Sequence, residues 1–249
     1  MGQVRPGPVV GLAGQIALLA ILARSVGLTP AGWAAGLAVG GGVAAALSLA
    51  MSRTGRQDLG TANGVTLVRA VLVGGIAALV TDGFVGASVN SAVVALATPA
   101  LMLDAIDGRL ARRTGTVSPF GARFDMEVDA LLILVLSVEG ARILGPWVLA
   151  IGAARYLLAA AGVVAGWLRA AAPARVWGKI VAAVQGVTLT VVCAQVLPHA
   201  VAIGAVAISL ALLSESFGRQ VAWLWRHERV RPVRHSVPPL RAVPVAARR

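Results

Sequence analysis

Charged residues are scarce in this chain of 249 residues, since they make up 13% of it against roughly 25% in a typical soluble domain. Aromatic residues contribute only 4%, whereas hydrophobic residues contribute 58%. A soluble domain of this size cannot hide apolar runs of about 20 residues that follow one another. The composition therefore argues against a water-soluble enzyme and predicts that the solvent of this chain is a lipid bilayer.

Cysteine and histidine, which often bind metals, are rare in this chain, and disulfide bridges need cysteine. Cys193 is the single cysteine, which excludes an intramolecular disulfide and a thiolate metal cluster. The three histidines are scattered, which excludes a conventional histidine-rich zinc site; they are His199, His227 and His235. Both exclusions turn attention to the carboxylates.

The charge that is present is mostly positive, with a net charge of +12. Such an excess is common in proteins that bind nucleic acids. Here the basic residues border apolar runs and lack interleaved aromatic side chains, so we expect no nucleic-acid partner. The tail from residue 226 onward is basic and rich in proline. We expect it to be a solvated arm at the membrane surface, either attracted to anionic lipid or acting only as a topology signal.

Apolar runs long enough to cross a bilayer, about 20 helical residues each, recur along the chain. They predict an all-α, polytopic membrane helix bundle with about eight transmembrane helices, because the period-two alternation of a membrane barrel is missing. The first run is also compatible with the apolar region of a signal peptide. A second run follows directly after RSVGLTP, which favours a helical hairpin. The expected spans are 9–27, 30–52, 66–82, 84–107, 121–140, 146–168, 178–197 and 199–225.

Basic residues predict the orientation of the bundle, since they mark the cytoplasmic side of short connections. They concentrate between the second and third spans, the fourth and fifth, and the sixth and seventh. The other connections carry little charge. We therefore expect a protein integral to the cell (inner) membrane, with both termini and these basic connections facing the cytoplasm.

Acidic residues are concentrated in one segment, because five of the ten lie between positions 104 and 129, within LDAIDGRLARRTGTVSPFGARFDMEVDA. Asp104 and Asp107 are spaced i, i+3, and Asp125 and Asp129 are spaced i, i+4, so each pair shares a helical face. A turn at TGTVSP would fold the second helix back on the first. We therefore expect four carboxylates to meet at the cytoplasmic end of the bundle, where each is costly unless paired, solvated or bound to a cation.

Four converging carboxylates repel one another unless positive charge is supplied. Two divalent cations with oxygen ligands, Mg²⁺ or Mn²⁺, suit such a cluster. Paired metals about 4 Å apart favour displacement at phosphorus, because they bind both the attacking and the leaving oxygens. The residues therefore predict phosphoryl transfer at the membrane surface. Divalent-cation transport is an alternative from a different class, but it would place polar residues at successive depths in several spans.

The acidic segment reads D-x2-D-G-x2-A-R-x8-G-x3-D-x3-D from Asp104 to Asp129, and it resembles the signature of the CDP-alcohol phosphotransferase family at all eight positions. Two shorter segments are also similar to family segments. NGVTLVR matches an N-x2-T-x2-R pattern, and GKIVAAVQ resembles a segment of members that use glycerophosphate; they carry Asn63, Thr66, Arg69, Lys179 and Gln185. The resemblance implies a catalytic six-helix membrane core over 58–225, after an N-terminal transmembrane hairpin over 1–57 and before a basic cytoplasmic tail over 226–249.

The resemblance also implies a reaction, in which a phosphatidyl group moves from CDP-diacylglycerol to an alcohol with release of CMP. Four aspartates would hold the two cations, namely Asp104, Asp107, Asp125 and Asp129. Asp129 would in addition be the general base for the acceptor hydroxyl. The CDP site would be lined by Asn63, Thr66, Asp107, Gly108, Ala111, Arg112 and Gly121.

The acceptor alcohol is less well defined by the sequence. Arg155 lies inside an apolar run, where a charge is expected to face a cavity rather than lipid. Arg155, Arg175 and Lys179 are the candidates for binding an acidic acceptor. Glycerol 3-phosphate is the least disfavoured acceptor, and a cardiolipin-synthase-like enzyme that uses phosphatidylglycerol is the alternative. A homodimer is an arrangement that the resemblance allows.

Overall fold

The computed structural model describes residues 6–54, 61–114, 118–170 and 176–228. Within these ranges the chain is helical, with eight α-helices and two short 3-10 turns, at Pro146–Val148 and Gly166–Arg169. The expected all-α bundle is confirmed. The α-helices are α1 Pro6–Ser25, α2 Pro30–Thr54, α3 Thr61–Gly83, α4 Asn90–Thr114, α5 Pro119–Leu144, α6 Leu149–Val164, α7 Val176–Ala194 and α8 His199–Glu228.

Turn residues explain where the two central connections begin and end. Gly86 has a φ of 93°, a backbone conformation that favours glycine, and α4 begins only at Asn90 rather than at the expected position 84. Ser118 has extended backbone, and its hydroxyl accepts a hydrogen bond from the Gly121 amide at 3.0 Å. With Pro119 at the first helical position, this is a favourable N-cap. It fixes the start of α5, the helix that carries Asp125 and Asp129.

Six of the described helices are long and apolar enough to cross a membrane: α1, α2, α3, α6, α7 and α8. The remaining two, α4 and α5, carry the acidic segment, and in the sequence of α4 the first charged residue is Asp104. Both are nevertheless about 38 Å long by their residue count, enough to cross a hydrocarbon layer of about 30 Å. The protein is therefore an integral membrane protein in which α4 and α5 carry the candidate chemistry.

The central element is α3, which packs against α1, α2, α4 and α5. The largest buried cluster joins α3 to α4, α5 and α7 through residues such as Ile76, Val93, Leu136 and Leu189. A helix surrounded on so many sides can bury a long polar side chain. Arg69 on α3 is the largest of the fully buried side chains in the described part of the chain.

The α1–α2 hairpin is seated on α3 by polar contacts as well as apolar ones. Asp82, near the end of α3 and 2% exposed, accepts hydrogen bonds from the Thr29 amide at 2.9 Å and from the Thr29 hydroxyl at 2.5 Å. Deeper in the bundle, the buried Gln15 side chain lies between Gly40 and Gly74, where any Cβ would overlap it. These two contacts fix the position of the hairpin on α3 at two levels along that helix. The domain boundaries proposed at 57 and 225 stay predictions.

A second polar contact lies at the same end of the bundle as Asp82. Glu139 on α5 is fully buried, and Arg142 donates to its two carboxylate oxygens at 2.5 and 3.1 Å. Arg142 also donates to the Asn90 side chain at 3.4 Å, which links α5 to the start of α4. A buried carboxylate is tolerated here because it is paired with a guanidinium in a bidentate arrangement.

Candidate active site

Three helix ends meet at the end of the bundle opposite to Asp82. The beginning of α3, the second half of α4 and the beginning of α5 lie side by side, because α3 packs against both of the other helices. Asp104 from α4 and Asp125 and Asp129 from α5 each offer a carboxylate oxygen, and these oxygens all lie within 4.8 Å of one another. The structure thus brings together three of the four aspartates that the sequence singled out.

These three carboxylates remain open to solvent. The exposed fractions of the side chains are 41% for Asp104, 34% for Asp125 and 36% for Asp129. Closely spaced oxygen donors at an accessible surface suit hard divalent cations such as Mg²⁺ or Mn²⁺. The residues present therefore fit a divalent metal site, and they leave room for a substrate to reach it.

The rest of the predicted α4 site lies outside the side chains that the structure describes. Asp107 follows Asp104 by one helical turn, and the backbone of this part of α4 is helical through Thr114. The side chains concerned are those of Asp107, Gly108, Ala111 and Arg112. Arg175 lies outside the described residues altogether. For these positions the sequence-based predictions stand as predictions.

Arg69 is the basic partner of the acidic cluster. Its Nη1 lies 3.0 Å from Asp104 Oδ1 and 2.6 Å from Asp125 Oδ1, and its Nη2 contacts Asp129 Oδ1. The Arg69 side chain is 1% exposed, so the guanidinium reaches the carboxylates from inside the protein. One arginine on α3 therefore ties α4 to α5 at the point where the acidic residues converge.

Asn63 and Thr66, both predicted to line a nucleotide site, are buried on the turns of α3 that precede Arg69. Asn63 faces Gly121 in the first turn of α5, and a Cβ at position 121 would overlap Asn63 Oδ1. A Cβ at position 121 would therefore displace the Asn63 side chain, so glycine here lets α5 pack closely on α3 without that shift. This contact sets the distance between the helix that carries Asn63 and the helix that carries two of the aspartates.

Arg155, predicted to bind the acceptor, is placed on α6 and pairs with Glu127 of α5. The distance from Arg155 Nη2 to Glu127 Oε1 is 2.6 Å, and the two side chains are 37% and 61% exposed. Glu127 lies two positions from Asp125 and from Asp129, a spacing at which helical side chains point to different sides, so the pair holds Arg155 against α5 but not on the face that carries the two aspartates. Its partial exposure leaves part of the guanidinium available to another anion.

The two residues of α7 that the sequence singled out, Lys179 and Gln185, lie in different environments. Lys179 is exposed in the first turn of the helix. Gln185, by contrast, is buried, and its side-chain amide donates to the Ser209 carbonyl of α8 at 2.8 Å. The described geometry thus gives Gln185 a role in joining α7 to α8 and leaves Lys179 accessible at the end of the bundle that carries the aspartates.

Two features of the site were not assigned by the sequence. Arg69 matches the N-x2-T-x2-R pattern, but that match does not predict its contacts with three aspartates. The signal was its spacing, since positions 63, 66 and 69 recur every three residues and share a helical face. The pairing of Glu127 with Arg155 has no such signal, because it joins two helices whose packing angle only the folded chain sets.

This geometry defines a class: integral membrane proteins with an acidic, solvent-accessible centre at the ends of three helices. A family model described as CDP-alcohol phosphatidyltransferase matches residues 59–213, well over half of the chain. The chain belongs to this family, whose members are transferases of phospholipid synthesis. No curated protein and no solved structure matches it in the corresponding searches. The family match begins just before α3, so the α1–α2 hairpin lies outside it.

Proposed function

We propose that this protein transfers a phosphatidyl group from CDP-diacylglycerol to an alcohol acceptor, with glycerol 3-phosphate as the acceptor and CMP as the released product. The observation that carries the proposal is the group of three carboxylates from two helices, with oxygens within 4.8 Å of one another and access to solvent. Membership of the CDP-alcohol phosphatidyltransferase family supports the reaction class. The acceptor is inferred from the basic residues near the site.

We assign four aspartates as the ligands of two divalent cations, Mg²⁺ or Mn²⁺. These residues are Asp104, Asp107, Asp125 and Asp129. When bound, such cations supply positive charge to the pyrophosphate of the donor and to the departing CMP. The contribution of the chain is to hold its oxygens close together before substrate arrives. Because the carboxylates are fixed on two helices tied by Arg69, little reorganisation is needed in the reaction.

The donor nucleotide is assigned to the side of the site formed by α3, α4 and the first turn of α5. Gly121 packs closely against Asn63 and adds no side-chain bulk there. Arg112 offers a planar set of donors for a phosphate oxygen. The residues assigned to the CDP site are Asn63, Thr66, Asp107, Gly108, Ala111, Arg112 and Gly121.

Asp129 is assigned as the general base. As the acceptor oxygen attacks the phosphorus of the phosphatidyl group, the new O–P bond forms and the bond from that phosphorus to the CMP oxygen breaks. The hydroxyl proton passes to the Asp129 carboxylate, and CMP leaves with the bonding electrons. Direct displacement of this kind needs no covalent enzyme intermediate, and a base within hydrogen-bond reach contributes about 10²- to 10⁴-fold in rate.

An acidic acceptor is assigned to the basic side chains around the centre, Arg155, Arg175 and Lys179. Arg155 is the best placed of the described residues, because it pairs with Glu127 on the helix of the general base. A phosphate on the acceptor would compete with Glu127 for this guanidinium. The soluble CDP head group favours placing the centre on the cytoplasmic side of the inner membrane, and a homodimer stays a prediction.

The test is CMP release by the purified full-length protein from CDP-diacylglycerol, with Mg²⁺ or Mn²⁺ and separate acceptors that include glycerol 3-phosphate and phosphatidylglycerol. We expect release that depends on glycerol 3-phosphate and is lost in Asp129→Asn. Release with phosphatidylglycerol alone would replace the proposed acceptor by that of a cardiolipin-synthase-like enzyme. No release with any acceptor, from folded protein that binds Mn²⁺, would overturn the proposed reaction.

A further inference from the structure

Arg69 differs from the other basic residues of the site in how it meets the carboxylates. Its side chain is 1% exposed, whereas each aspartate that it contacts is at least one third exposed. The guanidinium therefore approaches from the protein side, and the opposite side of the same carboxylates faces solvent. Its contacts use Oδ1 of Asp104, Asp125 and Asp129 in turn.

The role of this arrangement can be inferred from the charges of the three carboxylates and of Arg69. Three carboxylates with oxygens within 4.8 Å of one another repel strongly, and in this group Arg69 supplies the neighbouring positive charge. A planar guanidinium presents several donors at once and can bridge three acceptors, which an ammonium on a flexible chain does less well. The arginine thus does for the cluster what a cation would do: it offsets repulsion and holds the ligands together.

We propose that Arg69 is the built-in counter-charge of the metal centre and that it competes with divalent cations for the same carboxylates. This inference rests on the proposed function only in taking the aspartates as metal ligands. Two positive groups that neutralise one cluster weaken each other's binding, and linkage makes that coupling reciprocal. Arg69 is therefore a positioning residue that keeps the ligands assembled and lowers the affinity for cations, so that they exchange readily.

A purely supportive role would have the opposite signature. If Arg69 only oriented the ligands, as outer partners of metal ligands do, its removal would lower metal affinity by about 10- to 100-fold. Under the counter-charge proposal its removal raises the affinity for cations, while the chelator-treated protein loses stability. The sign of the change in Mn²⁺ affinity separates the two roles without any measurement of activity.

The experiment compares wild type, Arg69→Gln and Arg142→Gln as full-length purified proteins, without lipid donor. Mn²⁺ affinity is measured by isothermal titration calorimetry, and the unfolding midpoint is measured with a chelator and with saturating Mn²⁺. The Arg142→Gln protein is the matched control, because Arg142 also pairs with a carboxylate of α5 but at the other end of that helix.

For Arg69→Gln we expect Mn²⁺ to bind about tenfold more tightly than to wild type. In chelator, the unfolding midpoint of Arg69→Gln should lie about 5 °C below that of wild type. Mn²⁺ should raise the midpoint of this variant by more than it raises the midpoint of wild type. Arg142→Gln should also lose stability but keep the wild-type Mn²⁺ affinity, since distant sites act independently.

Unchanged or weaker Mn²⁺ binding by Arg69→Gln would overturn the counter-charge role. If that variant does not fold, Arg69→Lys decides the question, because it keeps the charge but not the planar donors. It should bind Mn²⁺ at least as tightly as wild type, and weaker binding would again overturn the proposal. A protein that passes these tests yet releases no CMP would leave the counter-charge intact and contradict only the proposed reaction.

Discussion

The two ends of the bundle use buried charge in opposite ways. Near one end of α3, Arg69 contacts three carboxylates that are each at least a third exposed. Near the other end, about 20 Å away along the helix, Asp82 is enclosed and accepts two hydrogen bonds from Thr29. On α5 the same contrast separates Asp125 and Asp129 from the enclosed Glu139–Arg142 pair.

The difference lies in balance and access. At the end with Asp82, each described acidic group is paired with hydrogen-bond donors and shielded from solvent. These groups therefore stabilise the packing of the helices. At the end with Arg69, three acidic side chains contact one basic side chain among the residues that the structure describes, and all three face solvent. Unbalanced charge that is accessible to ligands is what a catalytic centre needs, and balanced charge that is enclosed is what a helix junction needs.

The largest effect is expected from exchanging aspartate for asparagine at each end. Asp104→Asn removes a carboxylate from the proposed metal site, so we expect CMP release to fall by about 10³-fold or more with little change in the unfolding midpoint. Asp82→Asn should do the reverse, because it weakens the contact with Thr29 while leaving the centre intact. Activity and thermal unfolding are measured on both proteins. A large activity loss in Asp82→Asn, or none in Asp104→Asn, would break the comparison.

The next effect concerns the enclosed ion pair. Arg142→Met leaves Glu139 buried without its guanidinium, which we expect to cost about 3 kcal/mol of stability. The double variant Glu139→Leu/Arg142→Met removes both charges and should regain most of that loss, as measured by thermal unfolding. Mn²⁺ affinity should match wild type throughout. If the double variant is no more stable than the single one, packing rather than charge accounts for the role of this pair.

A smaller effect is expected at the glycine that sets the spacing of α3 and α5. A methyl group at position 121 would meet Asn63 Oδ1, so Gly121→Ala should displace the Asn63 side chain and reduce kcat/KM for the CDP donor by about tenfold. Gly64→Ala is the control, since a Cβ at this neighbouring position of α3 meets nothing within 4 Å. Equal rates of CMP release for the two variants would show that the contact with Asn63 does not shape the site.

Helical character and the identity of the aspartates could be predicted from sequence because both are local properties. A run of about 20 apolar residues determines a membrane helix wherever it lies. The spacing of Asp125 and Asp129 places them on one face of any helix that contains them. The expected start of α4 was less accurate, because it depends on the positive φ of Gly86.

The sequence by itself thus determined the solvent of this protein, the number of its helices and the acidic segment, since each follows from composition and periodicity along the chain. Only the tertiary structure decided that Arg69 meets three of the aspartates, that Glu127 pairs with Arg155 and that Asp82 holds Thr29. These partners are 28 to 60 positions apart in sequence. Their pairing depends on how helices pack, which no periodicity within a single helix records.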